Sequence, residues 1–290
     1  MPSAISPQPF DVVLYHGNCY DGITAAWVAK MHSPNAELIP VSYGSPPPDE
    51  IEGKRVLIVD FSYPRETLRN IEPVVESMLI LDHHATAMAN LDGLEYAVFD
   101  MESSGAGMAW EHLFPGQNSP SVVDYVEDRD LWRFNLHRSH DHHAYMSSLP
   151  MTVESVQAIH QMPLDQRLEL GKPVREYHEL TCRKIAKRAR RITIEGQDFW
   201  ICNVPVEFGS EVAEVLYNRH PSLPVICWSW GSTKGDYYCS CRSRKGDGID
   251  IGSFAKSMGG GGHHHAAGFR TRVPPPYLGV AYEKQERWEG

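Results

Sequence analysis

Apolar residues in the first half of the chain come in short unbroken runs rather than in alternation. DVVLYH (11–16), RVLIVD (55–60) and MLIL (78–81) each place aliphatic side chains next to one another. Such a run suits a strand buried on both faces of a parallel sheet. Gly17 reads as a turn after the first run, and DGITAAWVAKM (21–31) as the helix that follows. Segment 37–43 reads as a further strand before the proline-rich turn GSPPPDE. Pro64 suits an early helix position, with Leu68, Ile71 and Val75 facing inward. Strand, helix and strand repeated at these lengths predict an open parallel α/β sheet flanked by helices. ESSGAGMAWEHLF (102–114) predicts a helix opened by Ser103 or Ser104. SVVDYVEDRDLWRF (121–134) is a helical or strand run broken by acids, and residues 150–190 read as mostly helical.

A new pattern begins at RITIEGQDFWICNVP (191–205), read as strand, turn and strand before the helix EVAEVLYNRH (211–220). VICWSWG (225–231), DYYCSCRS (236–243), the helix IDIGSFAKSM (249–258) and a glycine loop complete it. The expected organisation is an N-terminal domain over 1–150, a helical linker over 151–190, and a smaller C-terminal α/β domain with a mixed sheet over 191–290. The basic residues at 183–191 read as a solvated face. Trp228 and Trp230 alternate with Cys227 and Ser229 as in an ordinary strand, with base stacking the other reading.

In open parallel sheets ligands bind beyond the carboxyl ends of the strands. His16, Asp60 and Asp82 through His84 all fall at such ends. With Asp21 and Asp128 they offer the carboxylates and imidazoles that suit Mn²⁺ and neighbouring ions. The two oxygens of Asp60 would bridge two cations about 4 Å apart. Plainer readings stand beside these. Asp60 would cap the helix after it, and either Asp128 or Asp130 of EDRD would pair with Arg129 or Arg133. SHDHHAYM (139–146) repeats Asp-His-His at 141–143 but follows no buried strand, and reads as surface. Four glycines at 259–262 let the backbone approach a ligand and form an anion nest, with His263 as a further donor; a surface turn is the alternative.

YHGNCYDGITAAW, LIVDFSYP, LDHH, YVEDRDLW and GGGGHHHAAGF, in this order and spacing, resemble the DHH/DHHA1 phosphoesterase family from about residue 11 to residue 270. The resemblance implies a DHH catalytic domain followed by a DHHA1 substrate-binding domain, with Mn²⁺ in a two-metal site and Mg²⁺, Co²⁺ or Zn²⁺ as substitutes. It assigns His16, Asp21, Asp60, His83 and Asp128 to metal binding, with Asp130 the competing choice for the last. His84 becomes the group contacting the scissile phosphate and Asp82 the residue orienting the pair. Arg242, Gly261, Gly262 and His263 become substrate-binding. The departure is Cys19, which stands where many members carry an aspartate; it is either a softer metal ligand or an inert thiol.

The activity implied is hydrolysis of phosphodiester bonds in short oligonucleotides, as in a nanoRNase or short-oligonucleotide exonuclease. A cyclic-nucleotide or linear dinucleotide phosphodiesterase, a 3′,5′-bisphosphate nucleotide phosphatase and a non-catalytic nucleotide-binding protein are the alternatives. A formal charge of −10 argues against salt-driven wrapping of long duplex nucleic acid. It allows a short single strand or a small phosphorylated nucleotide, because bound cations reverse the local field. Cys19, Cys182, Cys202, Cys227, Cys239 and Cys241 form no disulfide framework and read as reduced thiols. MPSAISPQPFD lacks a basic stretch before an apolar run, and no apolar segment reaches the length of a membrane span. A cytoplasmic protein is expected, with a homodimer left open.

Overall fold

A computed structural model describes residues 8–278 except 18, 232–234, 245 and 247–248. The chain divides into two compact units, Met1–Arg175 and Glu176–Gly290. Among the described residues no helix is long and apolar enough to cross a membrane.

The first unit runs β1 (Val12–His16), α1 (Tyr20–His32), β2 (Glu37–Val41), β3 (Arg55–Val59), α2 (Arg65–Ile71), β4 (Ser77–Asp82), α3 (Ala85–Leu91), β5 (Ala97–Phe99), α4 (Gly105–Leu113), α5 (Ser121–Asp130), α6 (Ser139–Ser147) and α7 (Val153–Gln161). Helix α8 (Leu164–Ala186) follows, and the boundary between the units falls inside it. The sheet order is β2-β1-β3-β4-β5, with every pair parallel. Successive residues of each central strand feed opposite cores. Val13, Leu57, Val59 and Leu81 pack with α1 and α4, while Val12, Leu14, Val56, Ile58 and Ile80 pack with Leu68, Ile71 and Leu91 of α2 and α3. Burial on both faces is why these strands read as unbroken apolar runs.

In this order β1 and β3 are neighbours although the chain visits β2 between them. The crossovers on either side of that pair leave in opposite directions, which opens a crevice at their carboxyl ends. His16 closes β1, Asp60 follows β3 directly, and Asp82 closes β4, so the fold gathers all three at that edge.

The second unit contains β6 (Arg190–Ile194), β7 (Gln197–Asn203), α9 (Gly209–Arg219), β8 (Val225–Trp230), β9 (Tyr237–Arg242), α10 (Ile251–Ser257), β10 (Gly261–His263) and β11 (Ala266–Thr271). Its sheet order is β10-β11-β9-β8-β7-β6, with only β7 and β8 parallel, so the sheet is mixed as expected. The glycine stretch is not wholly a loop: Gly261 and Gly262 pair with Gly268 and Ala267 as an edge strand.

The second Asp-His-His, at 141–143, is not the surface element expected. It lies in α6, with Asp141 and His142 buried. Nε of Arg138 and Nε of Arg175 each donate to Asp141 at 2.5 Å, and these bonds hold its carboxyl below the usual range despite burial, which acts the other way. Nη1 of Arg167 approaches Nε2 of His142 at 3.1 Å. An arginine only donates, so this nitrogen accepts and the imidazole is neutral. Burial first, then the Arg167 charge, push His142 down to about 3. Polar letters concealed a buried network that joins α6 to α8.

The unfolded chain protonates this histidine below its ordinary value of 6.5, whereas the fold keeps it neutral to about 3. Its contribution is therefore complete above pH 6.5 and lost as the pH falls toward 3. Unfolding in urea should show stability declining between about pH 7 and pH 5, and His142→Gln, which keeps an acceptor for Arg167 but does not titrate, should show a shallower decline. An equal slope in both proteins would refute this account.

Candidate metal centre

Three imidazoles and three carboxylates meet beyond the carboxyl ends of β1, β3 and β4. His83 Nε2 lies 3.2 Å from Asp60 Oδ1, 3.6 Å from Asp21 Oδ2 and 3.6 Å from Asp130 Oδ2. On the other side of the Asp60 carboxylate, Oδ2 lies 3.4 Å from His16 Nδ1. His84 Nδ1 is 4.0 Å from Asp60 Oδ1. The residues fall into two triads, His16 with Asp60 and His84, and Asp21 with His83 and Asp130, each offering ligand atoms within 4.8 Å of one another. Asp60 meets His16 with Oδ2 and His83 with Oδ1, the oxygen that His84 also faces.

Backbone conformation aims these groups. Asp60 has φ of +53°, a left-handed value that costs a non-glycine residue on the order of 1 kcal/mol or more. Its amide still donates to Leu81 O at 3.0 Å, so the residue is pinned to β4 as its side chain turns toward the crevice. Asp21, 1% exposed, accepts from the amides of Gly105 at 2.6 Å and Ala106 at 2.8 Å, the open N-terminus of α4. A Cβ at position 105 would stand 2.5 Å from Asp60 Cβ and 2.9 Å from Asp21 Oδ2, so only glycine permits this approach. Asp82, fully buried, accepts from Ser62 Oγ at 2.6 Å, from the amides of His83 and His84, and from His84 Nδ1 at 2.6 Å. A carboxylate that orients an imidazole in this way fixes its tautomer.

The electrostatics are those of a crowded anionic pocket. Burial, and then the charges of Asp60 and Asp130, push Asp21 well above the carboxylate range. Asp60 goes the other way: burial acts upward, but His16 and His83 drawn against its two oxygens, and the charges of His84 and His16, hold it below that range. His83 is raised to about 10 although burial works downward, because Asp60 bonds to it and Asp21, Asp130 and Asp60 surround it. His84 is likewise raised against burial, chiefly by Asp82.

These residues fit divalent cations. His16 Nδ1 and Asp60 Oδ2 are buried without a hydrogen-bond partner among the described residues, a costly state for two polar atoms that a cation between them would relieve. The donors are all carboxylate oxygens and imidazole nitrogens, which suit Mn²⁺, Mg²⁺ or Zn²⁺ more than soft ions.

The structure departs from the sequence reading at two positions. Asp130, not Asp128, stands in the cluster. The two residues are separated by about 200° around α5, so only one can face His83. Asp128 turns back, accepts from the amides of Asn135 at 2.8 Å and Leu136 at 3.3 Å, and ties down the loop that follows. That loop carries positive φ at Trp132 and Phe134, and Arg129 lies 4.1 Å over the Trp132 ring. Cys19 belongs to neither triad. It precedes α1 beside the acids, and burial followed by the charges of Asp60, Asp130 and Asp21 push its thiol well upward.

In the second unit, register relates the remaining expected residues. Ala266 of β11 lies opposite His263 of β10 and opposite Arg242 of β9, so His263 and Arg242 share one cross-strand row and one sheet face. Gly262, at φ +140°, comes so near β11 that a Cβ would stand 2.5 Å from Ala267 Cα. Arg242 Nη2 donates to Ser210 Oγ at 3.1 Å, at the start of α9, in a groove lined also by Gly209, Trp228, Tyr238 and Ser240. Trp230 is 65% exposed at the end of β8.

No family model matches the chain. The uncharacterised protein R106 of Acanthamoeba polyphaga mimivirus is 27% identical over 290 residues, covering 92% of this chain and 68% of the relative. Among solved structures, the pGpG-specific phosphodiesterase PggH of Vibrio cholerae is similar with a TM-score of 0.51 and 17% identity, over 90% of this chain and 93% of that one. RecJ of Thermus thermophilus in complex with Mn²⁺ gives a TM-score of 0.56 and 16% identity, over 90% of this chain and 49% of RecJ. The chain has the two-domain α/β fold of the DHH-domain proteins.

The exchange of roles between the two acids is open to test. Asp130→Asn should weaken Mn²⁺ binding about tenfold or more in calorimetry, because it removes a charged donor. Asp128→Asn should leave affinity within about threefold and instead cost about 1–3 kcal/mol of stability through the loop amides. The opposite pattern would restore Asp128 to the cluster.

Proposed function

We propose that the chain is a metal-dependent phosphoesterase that hydrolyses phosphodiester bonds in short oligonucleotides. The observation that carries this reading is the carboxylate of Asp60, which meets His16 with one oxygen and His83, of the Asp21–His83–Asp130 set, with the other. Asp21, His83 and Asp130 would hold one cation, His16 and His84 a second, and Asp60 both. When bound, such cations acidify water and offset charge on phosphoryl oxygens.

The chain's own residues prepare the site for that chemistry. Asp82 holds the proton of His84 at Nδ1, which leaves Nε2 for a cation or a phosphoryl oxygen. Helix α4 offers its amides to Asp21 and keeps that carboxylate fixed. Arg242 and His263, on one face of the second sheet, would bind a terminal phosphate of the substrate, with the glycine backbone beside them. Two nucleotides is the favoured minimum, because a structural neighbour covering most of this chain is a pGpG-specific phosphodiesterase.

With Mn²⁺, the protein should cleave labelled dinucleotides and short RNA faster than cyclic dinucleotides or 3′,5′-bisphosphate nucleotides. Asp60→Ala should lower turnover by about three orders of magnitude while circular dichroism stays unchanged; near wild-type rates in that variant would remove Asp60 from the chemistry. Arg242→Ala should raise KM about tenfold or more with a smaller effect on kcat, as expected for loss of a charge-assisted contact to phosphate. Hydrolysis confined to monoesters would contradict the diesterase reading.

A further inference from the structure

We propose that Tyr43 is a specificity-determining residue: its ring stacks on a nucleobase of the substrate while the adjoining phosphate lies at the Asp60 cluster. The inference rests on the phosphoesterase reading above and adds a subsite to it.

Tyr43 stands just past β2, the strand that flanks the end of β1. Val41 pairs with His16, and the Gly17 amide donates to Val41 O at 2.8 Å, so the segment leaving β2 is anchored beside the first histidine of the cluster. A turn follows, with Ser45 N donating to Ser42 O at 3.0 Å and Gly44 at φ +89°. Pro46, Pro47 and Pro48 come next, each with a fixed φ that narrows the conformations open to the loop.

The ring meets the cluster directly. It lies edge-on to His16, with centroids 5.4 Å apart, and edge-on to His84 at 6.1 Å. Phe61, the residue after Asp60 and only 1% exposed, backs it at 4.9 Å. Tyr43 itself remains 56% exposed. A ring that served only to shield the imidazoles would be expected to bury most of its own surface. This one is braced by a buried phenylalanine and two candidate ligands, yet keeps more than half of its area open beside the site of bond cleavage.

Such a braced aromatic surface loses little freedom when a flat ligand settles on it, which favours stacking. Every nucleobase has a π-face, so the contact would tolerate any base while rejecting phosphodiesters that lack one. This is selectivity for nucleotidic over other phosphodiester substrates, located in a loop of the catalytic unit.

The test compares wild type with Tyr43→Ala, Tyr43→Leu and Tyr43→Phe under Mn²⁺, on a dinucleotide and on the same dinucleotide made abasic at either nucleoside. Tyr43→Leu keeps apolar packing on Phe61 without a π-face. Both Ala and Leu should raise KM for the intact dinucleotide about tenfold, the lower part of the range for loss of one base–aromatic stack, with kcat within about twofold. Neither should change the parameters for one of the two abasic substrates, and Tyr43→Phe should behave as wild type. Equal losses on intact and both abasic substrates would assign the ring to support of His16 and His84 and overturn the proposal, as would an unchanged KM. Absence of turnover by wild type on any substrate would instead refute the phosphoesterase reading on which the proposal stands.

Discussion

Three carboxylates and three imidazoles held within a few ångströms of one another are a problem that the rest of the first unit is arranged to solve. Buried like charges repel strongly, and here Asp21 is driven upward by burial and by its acidic neighbours while His83 is raised by the same acids. Without cations the pocket is eased by protons on His83 and His84, both held more firmly than usual, and by the amides of α4 against Asp21. With cations those protons would leave, since metal ligands must be deprotonated. Around Asp60 the site would thus exchange proton charge for metal charge.

The fold supplies the gathering point. In the parallel order β2-β1-β3-β4-β5 the crossovers leave β1 and β3 toward opposite ends of the sheet, and His16 and Asp60 come to the same edge. The extension of β4 into Asp82, His83 and His84 adds the next strand end. Two local features aim the site: Asp60 adopts a left-handed backbone, and Gly105 allows α4 to approach both Asp60 and Asp21. In the second unit, the polar row of Arg242 and His263 is suited to anions.

Much of this was legible in the residues because buried parallel strands leave unbroken apolar runs that end abruptly in chemistry. RVLIVD and MLIL followed by DHH are such runs, and the structure ends both strands at the polar residues. What was not legible depended on three-dimensional phase or partners. Asp128 and Asp130 are equivalent as letters, and only the turn of α5 toward His83 separates them. Asp141 and His142 look solvent-facing until Arg138, Arg167 and Arg175 arrive from flanking and distant segments to pair with them. The short strand β5 has too few residues for a periodicity. Strands β10 and β11 are rich in glycine and alanine, so they carry little strand propensity of their own. Tyr43 lies in a loop with no pattern at all, and its place beside His16 follows from the pairing of β2 with β1.

The central claim is that Asp60 joins two cation sites. Anomalous diffraction from crystals soaked in manganese tests it most directly. The account predicts two manganese peaks about 4 Å apart, with one Asp60 oxygen or both within coordinating distance of each, His83 and Asp130 beside one ion and His16 beside the other. Manganese bound elsewhere on the chain, with no peak near Asp60, would contradict it.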